Sequence, residues 1–153
     1  MSKQFSIDID NYDFKESVKI QKRFSDLDPF AHANNAAQQN YFDIGRADYL
    51  SKLIEFKPFH LAPVSLLVVS YQTDFLHPIL PQDEVEVKTS VYHIGNKSLK
   101  MFQVIKNIET GVVHSVCDSV MVAVSISDGV PSSVLFPPEW RVRLVEIEGR
   151  EIN

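Results

Sequence analysis

The chain holds a single cysteine, Cys117, so no disulfide can form within it. That fits a reducing compartment. Cys117 lies in an alternating apolar run, which reads as a buried structural thiol rather than a nucleophile. Long hydrophobic runs are missing as well. No stretch approaches the roughly 18–20 apolar residues that a membrane-crossing helix needs. The opening Met1–Asp8 segment has no apolar core of a secretory signal, so the cytoplasm is the expected location. Basic residues are outnumbered, and the net charge of −5 argues against binding nucleic acid through bulk charge. There is no glycine-rich phosphate loop, no Gly-x-Ser-x-Gly elbow and no cysteine pair. His60, His77, His93 and His114 are scattered without metal-ligand spacing. Metal, nucleotide cofactor and serine nucleophile are therefore not expected. No internal repeat, low-complexity segment or interdomain linker appears.

What remains is an ordinary globular composition over 153 residues, enough for one domain with a real core. Residues 1–16 are polar and acidic with isolated Phe5, Ile7, Tyr12 and Phe14, and read as an N-terminal arm. The domain proper is expected over 17–153. Ser17–Phe24 alternates as a short strand. From Asn35 to about Glu55, Ala36, Ala37, Tyr41, Ile44, Ala47, Leu50, Leu53 and Ile54 recur at helical spacing, with Asp48 and Lys52 paired at i,i+4. Lys57-Pro58 ends the run. Val64–Val69 is apolar on both faces, which implies cover on both sides. One helix covers only one, so the other face suggests a partner subunit. Val85–Val91 alternates as a half-exposed strand, and Leu99–Ile108 is the next. Val112–Val124 is the longest, with its even-numbered valines pointing inward, and Asp128-Gly129 and Pro131 end the sheet. Pro137-Pro138-Glu139 opens a short C-terminal helix. One long helix against a run of antiparallel strands defines an α+β fold.

Chemistry-bearing residues converge at one place. The polar loop Arg23–Asn34 runs straight into the long helix, and Asn34 and Asn35 are both good N-cap residues. The first helical turn leaves backbone N–H groups unpaired and partly positive. Pro29 holds Asp28 in an extended conformation. A carboxylate beside free N–H donors can act on a polarised carbonyl. Taken alone, Asp28 reads as a loop aspartate that caps or turns the chain.

The same residues carry a resemblance. Asp26-Leu-Asp28-Pro29, His32-Ala-Asn34-Asn35-Ala36 and Tyr41-Phe-Asp43-Ile-Gly-Arg46 resemble the hot-dog-fold acyl-CoA thioesterases of the 4-hydroxybenzoyl-CoA thioesterase type. Asp74-Phe-Leu-His-Pro78, Asp83–Val87 and Gly95-Asn-Lys-Ser98 are similar to later blocks of that family, so the likeness spans about residues 17–147 in consistent order. Ala31 stands where the family usually has Gly, Ala33 where it has Val, and Gln38 where it has Tyr. The last change alters the helix face beside the site and bears on substrate preference.

The resemblance implies a hot-dog fold, one long helix wrapped by a curled antiparallel sheet. It implies hydrolysis of an acyl-CoA (or acyl-carrier-protein) thioester, with Asp28 as nucleophile or general base and the Asn35 backbone N–H as oxyanion donor. Asp26 is expected to brace the loop, and the positive helix end to keep Asp28 ionised. The plant acyl-carrier-protein thioesterases share the Asp-x-x-x-His-x-Asn-Asn spacing and implicate the His that corresponds to His32. They also carry an Asn where Phe30 stands here, so His32 is read first as a loop-fixing residue. Phe30, Tyr41 and Phe59 are candidates for the acyl pocket. Lys97 and Ser98 are candidates for the CoA phosphates, with Lys100, Arg141 and Arg143 behind them. A homodimer or homotetramer is implied, with sites between subunits. The competing reading is a non-catalytic acyl-CoA-binding scaffold; a hydratase of the same fold is a third.

Overall fold

The computed structural model describes residues 7–153, and of Phe59 only the backbone. Expectations for residues 1–6 and for the Phe59 side chain lie outside the described residues. The order is β1 (Glu16–Lys19), α1 (Asn35–Leu50), β2 (Ser65–Phe75), β3 (Val85–Ile94), β4 (Ser98–Asn107), β5 (Val113–Ser127), β6 (Val130–Ser133) and α2 (Pro138–Glu148). The strands form one antiparallel sheet in the order β1-β3-β4-β5-β2, with β6 paired to the end of β5. The helix α1 lies against β1, β3 and β4.

Ala37, Tyr41 and Phe42 pack on Val85, Val87, Ile105 and Cys117 in one buried cluster. Tyr49 and Leu50 continue it over Val91, Leu99, Met101 and Met121, closed by Phe136 and Leu144. Where the helix crosses β3 the contact is backbone-close: a Cβ on Gly45 would stand 2.4 Å from Val87 Cγ1. The described residues before β1 lie on the other face of the sheet. Ile9 is buried there with Val104 and Val116, Phe14 stacks on Phe102 at 6.2 Å, and the Tyr12 hydroxyl meets Ser90 Oγ at 2.7 Å.

Four expectations are corrected in detail. The helix stops at Leu50 rather than Glu55. Hydrogen bonds from Leu53 N and Ile54 N to Leu50 O make one further turn, and Arg143 Nε donates to Lys52 O. Its buried stripe is 37/38, 41/42, 45/46 and 49/50, so Ala36, Ile44 and Ala47 face outward. In β5 the residues facing α1 are Cys117, Ser119, Met121 and Ala123, not the even-numbered valines. Pro131 does not end the sheet: it lies within β6, opposite Ile126. A proline fits there because it forms part of a short, exposed edge strand.

Candidate active site

The loop that leads into α1 is built on a buried aspartate. Asp26 is 2% exposed; its carboxylate accepts hydrogen bonds from Tyr41 Oη at 2.7 Å, Arg23 N at 2.9 Å and Arg23 Nη2 at 2.9 Å. Its own carbonyl takes the Asn34 N–H at 2.8 Å. Burial by itself would raise the Asp26 carboxyl, but the bonds from Tyr41 and Arg23 outweigh it and hold it below the usual carboxylate range. Burial and the facing Asp26 carboxylate push the Tyr41 hydroxyl far up, so it stays a proton donor. Asp26 thus ties the loop to the middle of the helix.

Asp28 sits at the tip. Its Oδ1 accepts from Phe30 N at 2.9 Å and from His32 N at 3.0 Å, while Asp28 N donates to His32 O at 2.8 Å. These bonds close a tight loop whose turn passes through Ala31 at φ 60°, a left-handed position that suits glycine better. Oδ2 takes no hydrogen bond among the described residues. His32 anchors the loop through its backbone; its ring makes no hydrogen bond among the described residues.

Ala33 N then donates to Ile79 O at 2.9 Å, which fastens the loop to the segment after β2. Asn34 is the N-cap: its side chain accepts from Ala37 N at 2.7 Å and its carbonyl from Gln38 N at 3.0 Å. Of the four orphan amides of a first helical turn, those of Asn35 and Ala36 take no hydrogen bond among the described residues.

Asp28, His32, Asn35 and Gln38 open together on one depression of about 230 Å³, walled opposite by Phe75, Leu76, His77 and Pro78. In the sequence His77 is one of several scattered histidines, and nothing in metal-ligand spacing marks it. The signal was present in the Asp74–Pro78 block, because a strand end that returns beside the loop must wall the site. His77 Nδ1 meets Val113 O at 3.0 Å, and His114 Nδ1 meets His77 O at 3.2 Å, which pins that wall to β5.

Other candidates are placed elsewhere. Tyr41 is buried on Asp26 and does not reach the depression. Phe30 is 79% exposed and projects from the loop. Ser98 opens β4 opposite Val122, with Lys97 just before it, whereas the Phe75 wall pairs with Ser115. Seven residues of β5 separate those levels, about 23 Å at strand rise. Arg141 belongs to that far end too, with Nη2 on Gly95 O at 2.5 Å. No cluster of three or more metal-ligating side chains occurs among the described residues. Cys117 is buried, and burial raises its thiol, as suits a structural residue.

A helix enclosed by one curled antiparallel sheet, entered through a carboxylate-bearing loop, is the hot-dog architecture of the thioesterases. A profile of the thioesterase-like superfamily matches residues 22–144, and the chain belongs to that superfamily. It is 31% identical over 116 residues to the uncharacterized protein YsmA of Bacillus subtilis, covering 72% of this chain and 74% of the relative. A thioesterase of Thermus thermophilus, solved with coenzyme A and zinc, matches with a TM-score of 0.74 at 30% identity, over 90% of this chain and 97% of that one. The 1,4-dihydroxy-2-naphthoyl-CoA thioesterase of Synechocystis shares the fold, with a TM-score of 0.75 at 13% identity over 85% and 95% of the two chains.

Proposed function

We propose that the chain hydrolyses acyl-CoA thioesters to a free acid and CoA. The observation that carries this is one small depression lined by both Asp28 and Asn35, the first residue of α1; neither Asp28 Oδ2 nor the Asn35 amide takes a hydrogen bond among the described residues. A thioester carbonyl set against that amide has its oxygen at the positive end of a helix. The developing oxyanion gains a donor, a contribution typically worth about 2.7–4 kcal/mol. Asp28 acts on the carbonyl carbon directly, as nucleophile, or through water, as general base. Its Oδ1 is held by two loop amides, so the carboxylate is fixed in orientation while Oδ2 reacts. His32 serves the loop through its backbone. The unit that performs this is residues 17–153, with the described residues before it, from Ile7 on, an arm on the sheet.

Self-association belongs to the same reading. The edge strand β2 leaves Val69 59%, Tyr71 50% and Phe75 43% exposed, although α1 reaches it through Gln39 Nε2 on Thr73 Oγ1 at 2.8 Å and Arg46 over the Tyr71 ring. A second copy pairing antiparallel along this edge would set its Ser65 end beside the first chain's Phe75. That would carry the second copy's Lys97 and Ser98 toward the depression, where CoA phosphates need cations. A panel of acyl-CoA thioesters, read by thiol release, tests the activity. Turnover of at least one member is expected; tight binding with no turnover would make the chain a carrier or scaffold instead. Acyl-carrier-protein thioesters in the same panel decide which thiol is used.

A further inference from the structure

Gln38 is the residue of the depression that the proposed hydrolysis leaves unused. It is 3% exposed, lines the depression beside Asp28, and stands where the resembling family carries a tyrosine. Its Nε2 donates to Ala33 O at 3.3 Å, while its Oε1 is shut off from solvent and has no hydrogen-bond partner among the described residues. The bond to Ala33 fixes which end is which: a flipped amide would set two carbonyl oxygens against each other. A buried amide oxygen left unpaired is costly, and native structures rarely keep one without a ligand or water to use it. The 3.3 Å tether is weak, and the terminal torsion of Gln is soft and roughly two-fold. A hydroxyl bound in the depression would draw the oxygen round about that torsion, at the cost of the weak Ala33 bond.

The height of this oxygen along the helix sets where its partner must be. Helical side chains slant toward the N-terminus, and here the amide reaches back to Ala33, before the N-cap. It therefore lies level with the helix entrance, where the Asn35 amide would hold the thioester carbonyl. A donor able to meet it must sit only a bond or two from that carbonyl. An acidic group is unsuited, because the oxygen accepts and Asp28 stands beside it.

Resting on the thioesterase reading above, we propose that Gln38 is a specificity-determining residue whose side-chain oxygen accepts a hydrogen bond from a hydroxyl on the second or third carbon of the acyl group. The substrate class is then a short 2- or 3-hydroxyacyl thioester rather than an unsubstituted one. An unsubstituted acyl chain would leave the buried oxygen unpaired, which is the circumstance under which a site discriminates strongly.

The test compares kcat/KM for butanoyl-, 2-hydroxybutanoyl- and 3-hydroxybutanoyl-CoA in the wild type and in Gln38→Met, with Gln38→Leu as a second variant. The wild type is expected to favour a hydroxylated member at least about tenfold, and the ratio is expected to fall toward one in the variants. A wild type without preference overturns the proposal, and that measurement needs no variant to fold. Equal losses on all three substrates in a folded variant also overturn it, and assign Gln38 to structure or to holding water. If no thioester in the wider panel turns over, the hydrolase reading itself has failed, which is a separate outcome from hydrolysis without discrimination.

Discussion

Asp26 and Asp28 stand two positions apart and do different work because their surroundings differ. Asp26 is sealed under the loop with Tyr41 and Arg23, and its folded value is depressed. A depressed carboxyl contributes stability that is fully present above its unfolded value, about 3.9, and is lost as pH falls through the folded value. Asp26→Asn is therefore expected to cost about 2–4 kcal/mol at pH 7. In urea melts recorded from pH 7 down to pH 2, the wild-type and variant curves should converge at the acid end. Parallel curves would mean that the carboxylate charge is not what holds the loop. At this scale the Asp-x-Asp block was legible: it marked both residues, and it gave Asp26 the bracing role. The division of labour at His32 was not legible, since only coordinates show that its backbone rather than its ring grips Asp28. Nor could the sequence show that Tyr41 turns inward to Asp26, because a helical tyrosine at that spacing suits a pocket wall equally well.

Among the elements, the long helix was expected from its spacing, and its start was placed correctly by the Asn34-Asn35 pair. Its buried face was placed only in part: Ala37, Tyr41 and Leu50 lie inside, Ala36, Ile44 and Ala47 outside. The reading followed small apolar residues, whereas the sheet receives Gln38 and Arg46 alongside Phe42 and Tyr49. The Arg46 head group is tolerated inside because it finds a partner that is itself held. Arg46 reaches Gln103 Oε1 at 3.3 Å, and Gln103 Nε2 donates to Phe42 O at 3.0 Å and Thr89 Oγ1 at 3.0 Å. Tertiary pairing of this kind leaves no periodic trace. The valines of β5 misled in the same way: both faces of that strand are partly covered, the outer one by the arm, so alternation could not say which face meets the helix. The close helix–strand crossing gives a direct check. Gly45→Ala gains helix propensity, yet its methyl would overlap Val87. A net loss of about 1–3 kcal/mol in denaturant melts is expected; a gain in stability would show that helix and strand can part freely.

For the whole molecule, the exposed β2 edge and the position of the depression belong to one argument. Val69 lies at a register break in β2, between Val68 and Ser70, and points its side chain to solvent. Wild-type protein at micromolar concentration should sediment as a dimer or larger. Val69→Lys, harmless to an isolated chain at so exposed a position, should shift it toward a monomer by placing like charges across the paired edges. A monomeric wild type would remove the second copy from the account of CoA binding while leaving the depression itself in place. The apolar character of this strand was visible in the sequence from Val64 to Val69, but its status as a sheet edge depends on topology. The central claim is that the Asp28 carboxylate performs chemistry at the helix entrance rather than only closing a turn. Asp28→Asn separates these roles, because the amide oxygen can still accept from Phe30 N and His32 N while the reactive charge is gone. The decisive measurement is kcat of Asp28→Asn on the best acyl-CoA substrate, taken alongside its melting temperature. A fall of at least about a hundredfold with an unchanged melt is the predicted result, and a variant that keeps near-full turnover would contradict the assignment.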